Sequence, residues 1–287
     1  MPNHAPHILI LDGYPMSDRE NLAACGMTLA GDLYAKMLAS ICPKATFTIV
    51  FPSDSGEALP KGVSLSDFDG IAWTGCSLTI HDQNDHRVAN HLAIATEAYR
   101  HGVPQYGSCW GIQIAAVAAG GTVGANPRGR EMGIARKITL SPSGRGHPMY
   151  VDKPTTFDGY VSHFDEVTHL PSGAEVLSKN AFTRIHAVSI HHEKGTFWGL
   201  QYHPEYNLFE MARLMHARSQ ALTNEGFFHD ETDALAMVER FEQLYKNPKD
   251  KALAWQLGCE ADILTDSIRQ TEPRNWIERL VLPNMKS

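Results

Sequence analysis

Between residues 7 and 121, short apolar runs alternate with stretches whose apolar side chains recur every three or four positions. Residues 7–12 form an apolar run that stops at Asp12-Gly13. Residues 45–51 are β-branched and aromatic, residues 69–75 read Asp-Gly-Ile-Ala-Trp-Thr-Gly, and residues 103–106 read Val-Pro-Gln-Tyr. Each predicts a strand, the first of them buried on both faces. Residues 28–40 (Leu29, Leu33, Met37, Leu38) and 87–100 (Val88, His91, Leu92, Ala95, Ala98, Tyr99) have helical spacing. Strand alternating with helix predicts an α/β fold with an open, mostly parallel sheet flanked by helices. The polar residues 14–26 predict a loop, either a plain surface connection or one wall of a pocket at the strand's end. Residues 52–62 predict exposed turns.

After Gly120-Gly121 the pattern changes. Residues 134–140 and 149–151 alternate across Ser-Pro-Ser-Gly-Arg-Gly, which predicts an antiparallel edge layer. Residues 187–190 and 196–202 predict two further strands, the second running into His203-Pro204-Glu205. From Leu208 onward only helical spacing remains, over 208–221, 233–245, 251–265 and 273–280. Thr271 offers the last helix a capping oxygen, and Pro273 falls early in its first turn. The chain thus divides into an α/β domain, residues 1–207, and a helical extension, residues 208–287, packed on or beside it. Whether that tail binds a partner, covers the sheet or makes a homo-oligomer stays open at this level.

Composition narrows the class. Of 287 residues, 43% are hydrophobic and 20% charged, enough for a full core without staples. A net charge of −7 with no dense Lys/Arg run argues against a nucleic-acid or anionic-membrane partner. No apolar run reaches about 18 residues, so no membrane helix is expected. The first residues lack the basic and apolar blocks of a secretory leader. Five cysteines without Cys-x-x-Cys spacing read as reduced thiols of a cytoplasmic protein, not as disulfides or a zinc site. Fifteen histidines include no His-x-x-x-His on a helical stretch, so no metal is expected.

The chemistry centres on residues 104–121. Cys109 stands between Gly107 and Gly111, where a buried strand turns sharply into a helix. Such an elbow lifts its central side chain out of the backbone, with glycines allowing close approach and unusual dihedrals. The positive end of the helix favours thiolate over thiol. In parallel sheets the functional crevice lies at the carboxyl ends of the strands, and Asp12-Gly13, Thr74-Gly75-Cys76-Ser77 and Gly107-Ser108-Cys109 all end there. A cysteine nucleophile needs a base, a carboxylate to orient that base, and donors for an oxyanion. His203 and Glu205, two apart after a strand, offer the first two.

Gly107-x-Cys109-x-Gly111-x-Gln113, followed by Gly199-x-Gln201-x-His203-Pro204-Glu205, resembles the class I (triad) glutamine amidotransferase family. The resemblance spans roughly residues 7 to 207. It includes Thr74–Ser77, Gly129-Arg-Glu-Met-Gly133 and Val161-Ser-His-Phe-Asp-Glu-Val167, the last similar to the Ser-His-x-Asp segment of GMP-synthase-type members. It implies that Cys109 attacks a γ-glutamyl amide to form a glutamyl thioester. His203 then acts as base and acid, and Glu205 orients it. It implies an oxyanion hole from the amide of Trp110 and that of Gly75 or Cys76. The family has paired glycines and a proline where this chain has Gly75-Cys76-Ser77. Cys76 reads as packing rather than as a second nucleophile. Gln113 and Asp165 are implied to hold the α-amino and α-carboxylate end of the substrate. Ser162 and His163 shape that pocket, and Glu131 is structural. No cofactor is implied.

The family's members supply ammonia to a synthetase. No synthetase motif occurs here: there is no Walker-type phosphate loop and no Ser-Gly-Gly-x-Asp-Ser. Three readings follow. The chain is a glutaminase working with a separate ammonia-accepting synthetase subunit, a self-sufficient hydrolase of γ-glutamyl peptides or γ-glutamylated amines, or a non-catalytic binding module on the same fold. The presence of Cys109, His203 and Glu205 argues against the third.

Overall fold

The computed structural model describes residues 4–54, 59 and 61–285. The chain opens with β1 (His7–Leu11), α1 (Met16–Ala24), α2 (Ala30–Ile41), β2 (Thr46–Val50), β3 (Gly70–Trp73), α3 (His86–His101), β4 (Gln105–Ser108) and α4 (Trp110–Ala118). There follow β5 (Thr122–Ala125), β6 (Glu131–Leu140), a short α5 (Pro142–Gly146), β7 (Thr156–His163), β8 (Asp165–His169), β9 (Ala174–Lys179), β10 (Ala187–His192) and β11 (Gly195–Leu200). The tail comprises α6 (Leu208–Ala217), α7 (Ser219–Asn224), α8 (Glu231–Lys246), α9 (Lys251–Leu257), α10 (Ala261–Leu264), α11 (Asp266–Arg269) and α12 (Thr271–Trp276).

The main sheet has the order β2-β1-β3-β4-β11-β10-β9-β6-β7. The five strands from β2 to β11 run parallel, and the other four pair antiparallel at the far edge. This is the expected α/β architecture with an antiparallel edge layer. The β1 run explains the parallel half. Leu9 and Leu11 enter the core under α3 and α4, while Ile8 and Ile10 enter the core on the opposite face. A strand with apolar residues at every position has no solvent face to offer.

The tail covers that opposite face. Trp276 is fully buried, stacks on Tyr106 with centroids 5.5 Å apart, and fills the space left by the bare Cα of Gly70. Glu272 accepts from Lys153 Nζ at 3.0 Å and from the Tyr202 hydroxyl at 2.6 Å, all three being buried. Glu210 on α6 accepts from both the amide and the hydroxyl of Thr28, which ties the tail to the entry of α2. Of the three roles left open for the tail, covering the sheet is the one seen.

Several local expectations are corrected. Residues 14–26 are not a loop but contain α1, a helix without an apolar stripe. Arg19 is its one buried residue, with its guanidinium bonded to the Tyr14 carbonyl and the Asp54 carboxylate. Local polar bonds hold it, so hydrophobic periodicity gave no sign of it. Residues 149–151 are not a strand; Pro148–Tyr150 is a 3₁₀ turn, since Pro148 has no N–H for a ladder. The helix predicted over 208–221 breaks at Arg218, and that over 251–265 breaks at Gly258, which has φ 62°. Thr271 does not cap: its hydroxyl donates back to the Ile268 carbonyl from the first helical position. Strands β5, β7, β8 and β9 were not foreseen as elements. Within the turns expected at 52–62, residues 55–58 and 60 lie outside the described residues. Among the described residues no helix is long and apolar enough to cross a membrane.

Candidate active site

Cys109 lies between β4 and α4 at φ 50°, ψ −96°, a conformation few non-glycine residues adopt. Its amide is held by the Leu200 carbonyl at 2.7 Å. The flanking glycines serve close approach only. A Cβ on Gly107 would sit 2.8 Å from Trp73 Cβ and 3.0 Å from Gly111 Cα, and one on Gly111 would sit 2.9 Å from Trp73 Cβ. Neither glycine has a positive φ, so the unusual dihedral expected of them belongs to Cys109 itself. Behind the elbow, the Trp110 indole donates to His91 Nδ1 at 2.7 Å. Burial lowers the His91 pKa to about 4, which keeps that nitrogen an acceptor.

His203 and Glu205 follow β11 and meet Cys109. The His203 and Cys109 side chains come together at Gly75, where a Cβ would stand 3.0 Å from His203 Cε1 and 3.9 Å from Cys109 Cβ. His203 Nδ1 lies 2.7 Å from Glu205 Oε1, with both of the paired side chains buried. Their backbone is a turn rather than the extended segment expected, so the turn, not strand alternation, pairs them. Burial alone would depress the His203 pKa. The Glu205 charge and the Cys109 contact outweigh it and raise the value to about 9. The Tyr206 ring stacks on the imidazole at 4.2 Å and 5°.

Glu205 Oε1 also accepts from Ser108 Oγ at 2.9 Å, and Ser108 Oγ lies 2.6 Å from the Tyr34 hydroxyl. Ser108 has one proton and gives it to the carboxylate, so Tyr34 donates to Ser108. Burial, then the Glu205 charge, raise the Tyr34 pKa and keep its proton in place. This chain was not anticipated. Ser108 stood inside the elbow motif and Tyr206 next to Glu205, but nothing in the spacing linked either to the imidazole.

Gly75 and Cys76 lie across the cleft. A Cβ on Gly75 would approach His203 Cε1 to 3.0 Å, so the bare Cα is what lets this loop reach the imidazole. Among the described residues the amides of Gly75 and Cys76 donate to no protein acceptor, and Trp110 opens α4, where helical amides are unpaired. The Cys76 thiol donates to the Gly13 carbonyl and accepts from the Leu78 amide. Burial pushes its pKa well up.

The remaining expected residues line the same cleft of about 310 Å³. Gln113 Nε2 donates to the Asp165 carbonyl at 2.9 Å, and Asp165 Oδ1 meets His81 Nε2 at 3.1 Å. Ser162 brings its carbonyl to 3.7 Å from Cys109 Sγ. His163 faces inward to the Asp165 carbonyl and to Glu131, which also binds Asn180 and Thr183. Burial opposes ionisation of Glu131, but the bond from His163 and the His186 imidazole 3.3 Å away prevail and hold its pKa low. Glu131 thus lies behind the pocket, bonded to His163, Asn180 and Thr183. Arg130, Arg218 and Glu225 also line the cleft and were not singled out from sequence. Among the described residues no cluster of His, Cys, Asp and Glu could hold a metal ion.

A profile of the family described as Glutamine amidotransferase class-I matches residues 47–219. The chain is 32% identical to a Pseudomonas sp. protein named Gamma-glutamyl-L-1-hydroxyisopropylamide hydrolase, over 97% of this chain and 94% of that one. It is 36% identical to the glutamine-hydrolyzing GMP synthase of Thermomicrobium roseum, over 61% of this chain but 30% of that one, so it spans less than a third of that protein. Solved glutamine amidotransferases from Thermotoga maritima and Methylobacillus flagellatus superpose with TM-scores of 0.64 and 0.61. They cover 97% and 95% of this chain, and it covers 99% and 96% of theirs. At 16% identity each, these two speak for the fold. A profile covering more than half of the sequence and a relative aligned nearly end to end agree: the chain belongs to the class I glutamine amidotransferase family.

Proposed function

We propose that this chain is a self-sufficient hydrolase of γ-glutamyl amides of small amines, working through a glutamyl thioester on Cys109. The observation that carries the reading is the similarity to the γ-glutamyl hydroxyisopropylamide hydrolase, which runs through the helical tail as well as the α/β part. Cys109 Sγ attacks the γ-carbonyl carbon. The oxyanion is held by the amides of Trp110 and of Gly75 or Cys76. The His203 imidazolium gives its proton to the amine nitrogen as the C–N bond breaks, leaving a thioester and a neutral imidazole. That imidazole takes a proton from water as the water attacks the thioester. Glutamate leaves, and the thiolate–imidazolium pair is restored. Glu205 holds the imidazole in place, with Ser108 and Tyr34 behind it.

The purified chain, without a partner, is expected to release glutamate from γ-glutamyl hydroxyisopropylamide with a higher kcat/KM than from glutamine. Preference for glutamine, with turnover dependent on an added synthetase, would overturn this reading. It would favour the ammonia-donor alternative, to which the GMP synthase similarity points.

The His203 value predicts a pH profile. Its pKa of about 9 lies above the ordinary 6.5, so the imidazolium that protonates the leaving amine persists through neutrality and is lost as pH rises through about 9. The same sign governs stability: the pair's contribution is full below about 6.5 and disappears through about 9. Glu205→Gln removes the raising charge and leaves the burial that lowers the value. The alkaline limb of kcat/KM is expected to move to lower pH, with activity near neutrality reduced by about 10²-fold. An unmoved alkaline limb in Glu205→Gln would show that Glu205 does not set the His203 proton.

A further inference from the structure

We infer that Arg218 binds the α-carboxylate of the glutamyl substrate, so that the helical tail completes the acyl side of the pocket. This rests on the γ-glutamyl amide reading above. A glutamyl group carries two charges at its α-carbon, an ammonium and a carboxylate. Entering a cleft that sheds water, each needs a partner of opposite sign. The acyl-side residues provide acceptors for the ammonium: the Asp165 carboxylate, and the Gln113 amide oxygen, the Gln113 Nε2 being bonded to the Asp165 carbonyl. They provide no full-time cation for the carboxylate.

The basic side chains in and beside the cleft narrow the choice. Arg130 is engaged, its Nε and Nη2 clamping both Glu225 oxygens at 2.7 and 3.0 Å. His81, half exposed, meets Asp165. Arg218 makes no ion pair among the described residues. Its Nη1 donates to the neutral Ser162 Oγ at 2.7 Å. That contact fixes its place, because the carbonyl of the same Ser162 stands 3.7 Å from Cys109 Sγ. The guanidinium is therefore held within one residue of the thiol, on the side of Ser162 and Asp165 where the acyl chain lies. It keeps donors to spare in the planar fork that suits a carboxylate. Arg218 stands at the joint between α6, which ends at Ala217, and α7, which starts anew at Ser219.

The test uses two amides that differ only at the α-carbon: γ-glutamyl isopropylamide and 4-aminobutyryl isopropylamide, which lacks the α-carboxylate. With the wild-type chain, loss of the carboxylate is expected to lower kcat/KM by about 30-fold, the scale of one charge-assisted bond pair. Arg218→Gln is expected to lower kcat/KM on the glutamyl amide by a similar factor, mainly through KM. It should leave the 4-aminobutyryl amide unchanged, and Arg218→Lys should recover part of the loss. Equal losses on both amides in Arg218→Gln would overturn the assignment while leaving the hydrolase reading intact. A wild-type chain inactive on both amides would overturn the hydrolase reading and this inference with it.

Discussion

Replacing Cys109 by alanine is expected to lower γ-glutamyl amide hydrolysis by about 10⁴-fold or more, the largest effect of any single substitution here. Activity in that variant would require another nucleophile to stand in. Cys76 lines the same cleft, but its thiol is committed to the Gly13 carbonyl and the Leu78 amide, and burial keeps it protonated. It is a packed side chain, so Cys76→Ala should remain active while Cys109→Ala does not. Loss of fold would not explain the result. Alanine retains the Cβ at this strained position, and the Cys109 amide still bonds the Leu200 carbonyl. Glutamate release gives the rate. Rapid acid quench and intact mass give the mechanism: the wild-type chain should carry a transient glutamyl adduct, and Cys109→Ala should carry none. An active Cys109→Ala variant, or an adduct on Cys76, would sink the assignment.

The elements that position Cys109 were readable from sequence because they obey one strong rule. Apolar runs such as residues 7–12 have no polar face, and Gly-x-Cys-x-Gly has few structural uses. What stayed hidden was stabilised by other means. Helix α1 depends on Arg19 and Asp54 rather than on an apolar stripe, so its sequence looks like a loop. Ser108 and Tyr34 are brought together by the register between α2 and the sheet, a relation between residues far apart in the chain. Arg218 lay beyond the matching motifs, in a stretch that reads as an uninterrupted helix. Only the break between α6 and α7 turns it toward Ser162. Local patterns thus located Cys109, His203 and Glu205, whereas the residues packed around them depend on tertiary packing.

His203→Gln is expected to be the next most damaging change, lowering kcat on an alkyl amide by about 10³- to 10⁴-fold. Glutamine is a deliberate choice. Its amide can still donate to Glu205 Oε1, so the buried carboxylate, already bonded by Ser108, is not left as a bare charge. The loss then reports proton transfer rather than a collapsed site. In the proposed mechanism two roles disappear together: the proton that converts an alkylamide anion into an amine, and the base that takes a proton from water. They separate by choice of leaving group. An alkylamine is too basic to leave without a proton, whereas the phenolate of an aryl ester leaves unaided. Acylation of His203→Gln by a γ-glutamyl aryl ester is therefore expected to fall much less than acylation by an alkyl amide. The thioester should then accumulate, because the water-activating base is missing. Burst kinetics with the aryl ester, followed by intact mass of the acylated chain, check both halves. Equal losses on the two substrates, with no accumulated acyl-enzyme, would mean that His203 is not the group that moves the proton.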